Sequence, residues 1–466
     1  MSRGNIRKLL IANRGEIAVR IIRAARDLGI ATVQVHSEAD KDSRAVRMAD
    51  EAVNIGPPQA AKSYLDVEAI LKAAKESGAD AIHPGYGFLA ENAAFADAVA
   101  NAGLIFVGPS GDTIRLMGDK AAARAEAKRA NVPTVPGSDG VIEDMEAAAH
   151  LAAHIGFPVM IKAAAGGGGR GIRIAHDAGE FHALAPQASS EAKAAFGDGG
   201  IYIEKVIERA RHIEVQVLGD GEDVVHFYER ECSLQRRRQK VWEEAPSVAL
   251  NEDVREQLCR SAVALAKAVN YKGAGTIEYL YDDVTGEFYF IEMNTRIQVE
   301  HPVTEMICGV DLVAEMIAIA GGAKLRAGQE AISRTGHAIE VRLNAEDPAN
   351  NFMPFPGIVG ELLTPDGPGV RFDHMLYPGY AVPPFYDSLL GKLIVWAEDR
   401  DKALMRLKRA LDELQIEGLP TTAPLFQALL ESDDVRASAV HTRWLEPWLE
   451  DNLDLIRQKK EAQAHG

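Results

Sequence analysis

KLLIANRGEIAVRIIRAARDLGIATVQVH, residues Lys8 to His36, runs from a short apolar stretch through a helical repeat into a second apolar stretch. In EIAVRIIRAARDLG the apolar residues recur at three- and four-residue spacing, and Gly29 stands where the repeat stops, so a helix ending there is expected. Farther on, DAIHPG and LIFVG continue the alternation of strand and helix to Ile105. Such alternation predicts a doubly wound parallel sheet. The first turn reads ANRGEIA and lacks GxGxxG, so the architecture resembles a dinucleotide-binding domain without its fingerprint.

A chain of 466 residues exceeds one core, and two or three packed units are expected. A helix over about Gly111 to Lys128 is followed by VPTVPGSDG, where Pro fixes φ and Gly loosens it, and this segment reads as a hinge. FPVMIKAAAGGGGRGIRIA is then strand, glycine loop and strand, between hinge-like segments that make residues 132–204 a lid. SRTGHAIEVRLNAEDPANNFMPFPG opens a β-rich, Pro-punctuated third region, and EDNLDLIRQKKEAQAHG is a polar tail expected to fray. The expected division is 1–114, 115–332, 333–450 and a tail over 451–466.

The formal charge of −17 excludes a nucleic-acid coat or an acidic membrane surface as partner, since both repel such a field. Any anionic ligand must therefore be held by local positive charge. Cys232, Cys259 and Cys308 are odd in number and widely spaced, which fits buried thiols in a reducing compartment. The start lacks the apolar core of a secretory signal and no stretch is long enough to span a bilayer, so a cytoplasmic protein is expected.

Several patterns point to phosphate and metal chemistry. Consecutive glycines over Ala165 to Gly171 let backbone N–H groups form a phosphate-holding nest, although a hairpin tip has the same composition. Lys162 before it and Lys120, at the start of a helix, add point charges suited to a polyphosphate. TIEYLYDDVTGEFYFIEMN predicts a β-hairpin; a turn centred on Thr285 sets Tyr281 against Tyr289 and Glu278 against Glu292. Opposed carboxylates favour a cation between them, and oxygen-only ligands suit Mg²⁺ or Mn²⁺. An outward, solvated face in another register is the alternative.

Glu292, Asn294, Arg296, Gln298 and Glu300 alternate with apolar residues, and in an extended run all five share one face until His301-Pro302 ends it. The fork of Arg296 matches a planar anion such as bicarbonate, and Glu300 is placed to act as general base. Arg342, in AIEVRLNAED, needs an anionic partner, either structural or substrate. Gln235, Arg236, Arg237, Arg238 and Lys240 form a basic run that is either a solvated face or a counter-charge to phosphate and bicarbonate.

IANRGEIAVRI, HPGYGFLAEN, MGDKAAAR, IKAAAGGGGRGIR, CSLQRRRQKVWEEAP, FYFIEMNTRIQVEHPVTE and EVRLNAEDP together resemble the biotin carboxylase family, in the family's order, over about residues 5 to 447. The resemblance implies an ATP-grasp fold: an N-terminal Rossmann-like parallel α/β domain, a lid subdomain within the middle domain, and a β-rich C-terminal domain. It implies that Lys120, Lys162, Gly168, Gly169, Glu204, Lys205, Ile207, His212, Gln235 and Arg238 bind ATP, with Ile172 and Leu280 against adenine. Glu278, Glu292 and Asn294 are the implied ligands of two Mg²⁺ or Mn²⁺ ions. Lys240, Arg296, Gln298, Val299 and Glu300 are implied bicarbonate contacts, Arg342 steadies the carboxyphosphate and biotin enolate charges, and Tyr86 lies near biotin.

The implied activity is carboxylation of biotin by a ligase that belongs to an acetyl-CoA or other acyl-CoA carboxylase. No AMKM-like biotinylation motif occurs, so biotin is expected on a separate carrier protein, with carboxyltransferase subunits as further partners and a homodimer formed near Arg23 and Arg371. Two positions depart from the family: Arg238 stands where many members carry His or Asn, and Ala165 replaces the first of five glycines. A ligase for another carboxylate, and a catalytically altered paralogue acting as scaffold or sensor, are the competing expectations.

Overall fold

The structure, a computed structural model, describes residues 4–138, 140–142, 144–163, 172–196 and 199–465. Its first layer is a five-stranded parallel sheet in the order Glu51–Gly56, Ala31–Ser37, Lys8–Ile11, Ala81–His83, Ile105–Phe106. The helix Gly15–Asp27 returns the chain between the first two strands. It ends because Gly29 adopts φ 68°, which lets Ile30 N–H donate back to Ala25 O at 2.9 Å. Ile17, Ile21 and Ile22 of this helix share one core with Leu312, Val313 and Ile317 of the helix Leu312–Ala320. Each such side chain contributes roughly 1.5–3 kcal/mol on full burial, and together they fix the first region to the second.

An eight-stranded antiparallel sheet forms the centre, in the order Phe288–Asn294, Lys272–Asp282, Ala210–Asp220, Val224–Arg236, Gln239–Ala245, His337–Asn344, Leu389–Ala397, Val370–His374. The middle and C-terminal regions thus meet inside one sheet, where Trp242 pairs with Val341 and Glu244 with Ile339. A third, three-stranded sheet, Ile172–Ala175, Val159–Ala163, Ile201–Lys205, packs with the helices Met145–Ile155 and Ala178–Phe196 around Ile161, Phe181 and Ile203. Among the described residues no helix is long and apolar enough to cross a membrane.

Four expectations are corrected. The helix over Gly111 to Lys128 is two helices, Gly111–Gly118 and Lys120–Arg129, because Asp119 leaves helical dihedrals and caps the second by accepting from Ala121 and Ala122 N–H at 2.9 Å. The tail is the helix Leu453–His465, held by fully buried Ile456 and by Lys460 on Asp347 at 2.6 Å. In the hairpin, Tyr281 pairs with Phe288 and not Tyr289, because the loop closes between Asp282 and Glu287. A bulge after Glu278 takes up the extra residue and still sets Glu278 opposite Glu292.

The fourth correction concerns the row from Glu292 to Glu300. The strand stops at Asn294, and residues 295–300 fold into a turn that ends where Glu300 opens the helix His301–Cys308, with Pro302 in its first turn. Pro is suited there because its missing N–H would have had no intrahelical partner. The polar groups therefore converge by chain reversal and not by sharing a strand face.

Candidate active site

A cleft of about 750 Å³ lies over the centre of the large sheet. Tyr86, His212, Arg238, Lys240, Glu278, Glu292, Asn294, Arg296, Gln298, Val299, Glu300 and Arg342 line it. Lys120, Lys162, Glu204, Lys205, Ile207, Gln235 and Leu280 do not, and Gly168 and Gly169 lie outside the described residues, as does the side chain of Ile172. Gln235 reaches the cleft indirectly, 2.9 Å from His212 Nδ1. Ile207 and Leu280 meet Tyr289, Ala210 and Val135 in a separate apolar cluster. Lys162 pairs with Glu204, the ammonium of Lys205 donates to Gly156 O and Phe157 O, and exposed Lys120 has no ion pair among the described residues.

Lys240 is the hub. Its ammonium donates to Glu214 Oε2 at 2.5 Å, Glu300 Oε1 at 2.7 Å and Glu278 Oε1 at 2.8 Å. Burial works against its charge, but these three carboxylates outweigh burial and hold it well above the usual lysine range. Glu300 receives a second cation, Arg342, at 3.1 Å, and Arg342 is anchored in turn on Glu243 at 2.7 Å. Against burial, Lys240, Arg342 and Arg230 keep Glu300 well below the ordinary carboxylate range. A base so held accepts protons poorly until its cations turn to a substrate anion.

Glu278 Oε1 also accepts from Asn294 and Gln298, both at 2.8 Å, and His212 Nε2 sits 3.0 Å from Oε2 without the alignment of a hydrogen bond. Opposite it, Glu292 accepts no hydrogen bond among the described residues, and burial together with the charge of Glu278 pushes it up. Two facing carboxylates, one with Oε2 free of hydrogen bonds and the other accepting none, with an amide beside them, are a donor set that fits a hard divalent cation. Arg296 is steadied by Glu91 at 2.8 Å and by Asn294 Oδ1 at 3.2 Å. The carbonyl of Val299 accepts from Lys392 at 2.5 Å, which pins the 295–300 turn.

Tyr86 arrives from the first region. Asn13 donates to Pro84 O at 2.6 Å and Tyr86 O at 2.7 Å, and a Cβ at Gly85, φ 64°, would lie 2.8 Å from the Asn13 amide nitrogen. Only glycine allows that close approach. The Tyr86 hydroxyl donates to buried Glu16.

Several residues of this centre escape the sequence patterns: Glu91, Glu214, Arg230, Glu243, Glu16 and Lys392. A signal for one of them exists. His212, Glu214 and Gln216 alternate with Ile213, Val215 and Val217 in a buried stretch of strand, a polar row of the kind noticed at Glu292 to Glu300. Fully buried Arg230 spreads its guanidinium over five acceptors, on Glu214, Gln216, Thr304, Thr276 and Gln298.

Arg238 occupies the second position of the two-residue turn between Arg236 and Gln239, with φ 66° after φ 49° at Arg237. Such turns favour Asn-Gly, and a left-handed residue other than these costs roughly 1–2 kcal/mol. Glu446 partly holds the turn by accepting from Arg237 N–H at 2.6 Å. Arg238→Asn is therefore expected to stabilise the protein by about 0.5–1 kcal/mol, read as a higher urea midpoint; an unchanged or lower midpoint would show that the turn is not strained.

A lysine hub among carboxylates, beside a carboxylate pair suited to metal, fits a ligase of the ATP-grasp class. Family models agree: "Biotin carboxylase, N-terminal domain" matches residues 5–114, "Carbamoyl-phosphate synthase L chain, ATP binding domain" residues 119–328, and "Biotin carboxylase C-terminal domain" residues 340–447. The chain is 54% identical over 440 residues to a biotin carboxylase of Nostoc sp., covering 94% of this chain and 98% of that one. It is 49% identical over 442 residues to a pyruvate carboxylase subunit of Methanothermobacter thermautotrophicus, covering 95% and 90%. A solved structure, the biotin carboxylase domain dimer of Hydrogenobacter thermophilus 2-oxoglutarate carboxylase with MgADP, ADP and bicarbonate, superposes with a TM-score of 0.83 at 48% identity, covering 97% and 98%. The chain belongs to the biotin carboxylase family.

Proposed function

We propose that Glu300 is the general base of an ATP-dependent carboxylation of biotin that this cleft performs with bicarbonate. The observation that supports it is the sharing of one carboxylate, Glu300, between Lys240 and Arg342 beside Arg296 and Gln298. Bicarbonate docks on Arg296, Gln298, Lys240 and the Val299 backbone. As Lys240 and Arg342 turn to the anion, Glu300 gains basicity and takes its proton. The freed oxygen attacks the γ-phosphorus of ATP and the bond to ADP breaks, giving carboxyphosphate, which parts into CO₂ and phosphate. Phosphate removes the proton from biotin N1, near Tyr86, and the nitrogen attacks CO₂ while Arg342 balances the enolate charge. The residues supply position and fixed charge, which is what a reaction between anions requires.

ATP binding falls to Lys120, Lys162, Gly168, Gly169, Glu204, Lys205, Ile207, His212, Gln235, Arg238, Glu278, Leu280 and Glu292. Glu278, Glu292 and Asn294 would hold Mg²⁺ or Mn²⁺, two ions in the full complex; such ions, when bound, neutralise and polarise the phosphates. The domains are 1–114, 115–332 with a lid over 132–204, and 333–450; the breaks between the matched family models fall near these limits. The biotin is borne by a separate carrier protein in the cytoplasm, and the final acceptor is an acyl-CoA such as acetyl-CoA, chosen by carboxyltransferase subunits. A homodimer forms around Arg23, which is half-buried, and Arg371, whose guanidinium is largely engaged by Glu305 and Asp373.

The test is ADP release by the purified chain with and without bicarbonate and free biotin. Release is expected to require bicarbonate and to rise with biotin, and Glu292→Gln should raise the Mg²⁺ concentration for half-maximal rate by about 10–100-fold. Equal hydrolysis without bicarbonate refutes the activity, and an unaltered Mg²⁺ requirement removes Glu292 from the metal site. Avidin capture of a biotinylated partner identifies the carboxylase to which the chain belongs.

A further inference from the structure

Behind Arg342 the large sheet carries two acids that substrate binding does not use. Glu243 and Glu340 are directly opposed across the antiparallel pair of strands Gln239–Ala245 and His337–Asn344, and both are fully buried. Residues so opposed have Cβ atoms about 4.5–5.5 Å apart and side chains on the same face. Glu243 spends Oε1 on Arg342, and its Oε2 has no hydrogen-bond partner; Glu340 has none on either oxygen. Two buried carboxylates in that relation do not both ionise unless a cation lies between them.

The neighbouring cations act on Glu340 only through their charge, and none donates a hydrogen bond to it. On the strand of Glu340 itself, Arg342 turns to Glu243 and Glu300. On the strand Leu389–Ala397, Lys392 is committed to Val299 O at 2.5 Å and Glu16 at 3.3 Å. On the strand Val370–His374, Asp373 is held by Arg371 at 2.6 Å. On the helix His301–Cys308, His301 lies 2.6 Å from Gln298 O, and Glu305 is taken by Arg20 and Arg371. Glu340 is thus faced by Glu243 across the strands and feels the charges of Lys392 and Arg342 without a hydrogen bond from either.

We propose that Glu243 and Glu340 hold one proton between them throughout turnover, and that Glu340 is a positioning residue for the bicarbonate step. A protonated Glu340 keeps Glu243 charged, Glu243 anchors Arg342, and Arg342 bears less heavily on Glu300. The proton neither enters nor leaves the reaction, so no other balance changes. The inference rests on the assignment of Glu300 as the base. Burial, only partly offset by Lys392, pushes Glu340 well above the ordinary carboxylate range, and burial against the pull of Arg342 also raises Glu243. As pH falls, Glu243 takes a second proton for the pair. Arg342 then has Glu300 as its sole counter-charge, and the base loses proton affinity.

Glu340→Gln tests this, because the amide copies a protonated acid in shape and offers Glu243 a donor. Glu340 is already neutral in the parent, so the acid limb of kcat/KM for bicarbonate is expected to stay within about 0.3 pH unit, whereas Glu243→Gln, which copies the doubly protonated pair, should cut kcat/KM at neutral pH about tenfold, the change of one pK unit in Glu300. A limb displaced by a unit or more in Glu340→Gln, or an undiminished rate in Glu243→Gln, overturns the proposal. A second measurement needs no turnover: the infrared difference spectrum of parent minus Glu340→Gln should contain the carbonyl stretch of a buried, protonated carboxyl at neutral pH. Its absence overturns the one-proton pair. If the parent fails to release ADP with bicarbonate, the proposed function fails, and the infrared band still decides the pair.

Discussion

Glu300→Gln is expected to reduce bicarbonate-dependent ADP release by about 10²–10⁴-fold, the usual contribution of a positioned proton acceptor. The amide keeps the size of the side chain and removes the acceptor, and it also takes a counter-charge from both Lys240 and Arg342. Those cations are then freer to bind bicarbonate, so the loss should appear in kcat, with KM for bicarbonate unchanged or lower. Such a split separates a base from a binding group. Steady-state kinetics at saturating ATP decide it: a rate within a fewfold of the parent, or a loss confined to KM, removes Glu300 as base and leaves it an electrostatic partner of Lys240.

Arg230→Met is expected to destabilise the fold by about 3–5 kcal/mol, because it leaves Oε1 of Glu214, a carboxylate with no solvent exposure, without its cation and unmakes four further buried hydrogen bonds. Arg230 reaches four elements at once: the strand Ala210–Asp220, Thr276 on the strand Lys272–Asp282, Gln298 in the 295–300 turn and Thr304 on the helix His301–Cys308. Lysine cannot replace it, as three donors on a flexible stem do not span five acceptors held in fixed directions. Urea unfolding measures the loss, and a change under about 1 kcal/mol would mean that Lys240 alone is enough for Glu214. Adding Glu214→Leu to the variant should restore part of the stability, since the stranded charge is then gone.

Local patterns make much of the architecture legible. The strand and helix alternation from Lys8 to Ile105 is the five-stranded parallel sheet, and the paired acids Glu278 and Glu292 face each other across a hairpin. Spacing accounts for that pair only in part, because a four-residue loop and a bulge compensate one another, and alternation alone reports neither. The row from Glu292 to Glu300 shows the limit more clearly. Period-two spacing marks residues that matter together, but the turn that gathers them depends on Lys392 gripping Val299 O from a strand some 90 positions later in the chain. Arg230 and Glu243 escape for a related reason: each is a charged residue in a buried strand, and what makes it tolerable is a partner from another part of the sequence. The tail reads as frayed because one buried isoleucine and a few ion pairs to distant residues leave no amphipathic stripe.

The continuous eight-stranded sheet has a consequence for how the chain comes off the ribosome. Strand Gln239–Ala245 is made early but waits for His337–Asn344 as its neighbour, and that strand waits for Leu389–Ala397. Until about residue 344 has emerged, the edge that carries Lys240 and Glu243 is an open row of backbone donors and acceptors, able to pair with another nascent chain, and until about residue 397 the edge of His337–Asn344 is open in the same way. Synthesis paused near residue 330 should therefore leave a sticky intermediate, and the C-terminal third acts during translation as the piece that closes the reactive edge.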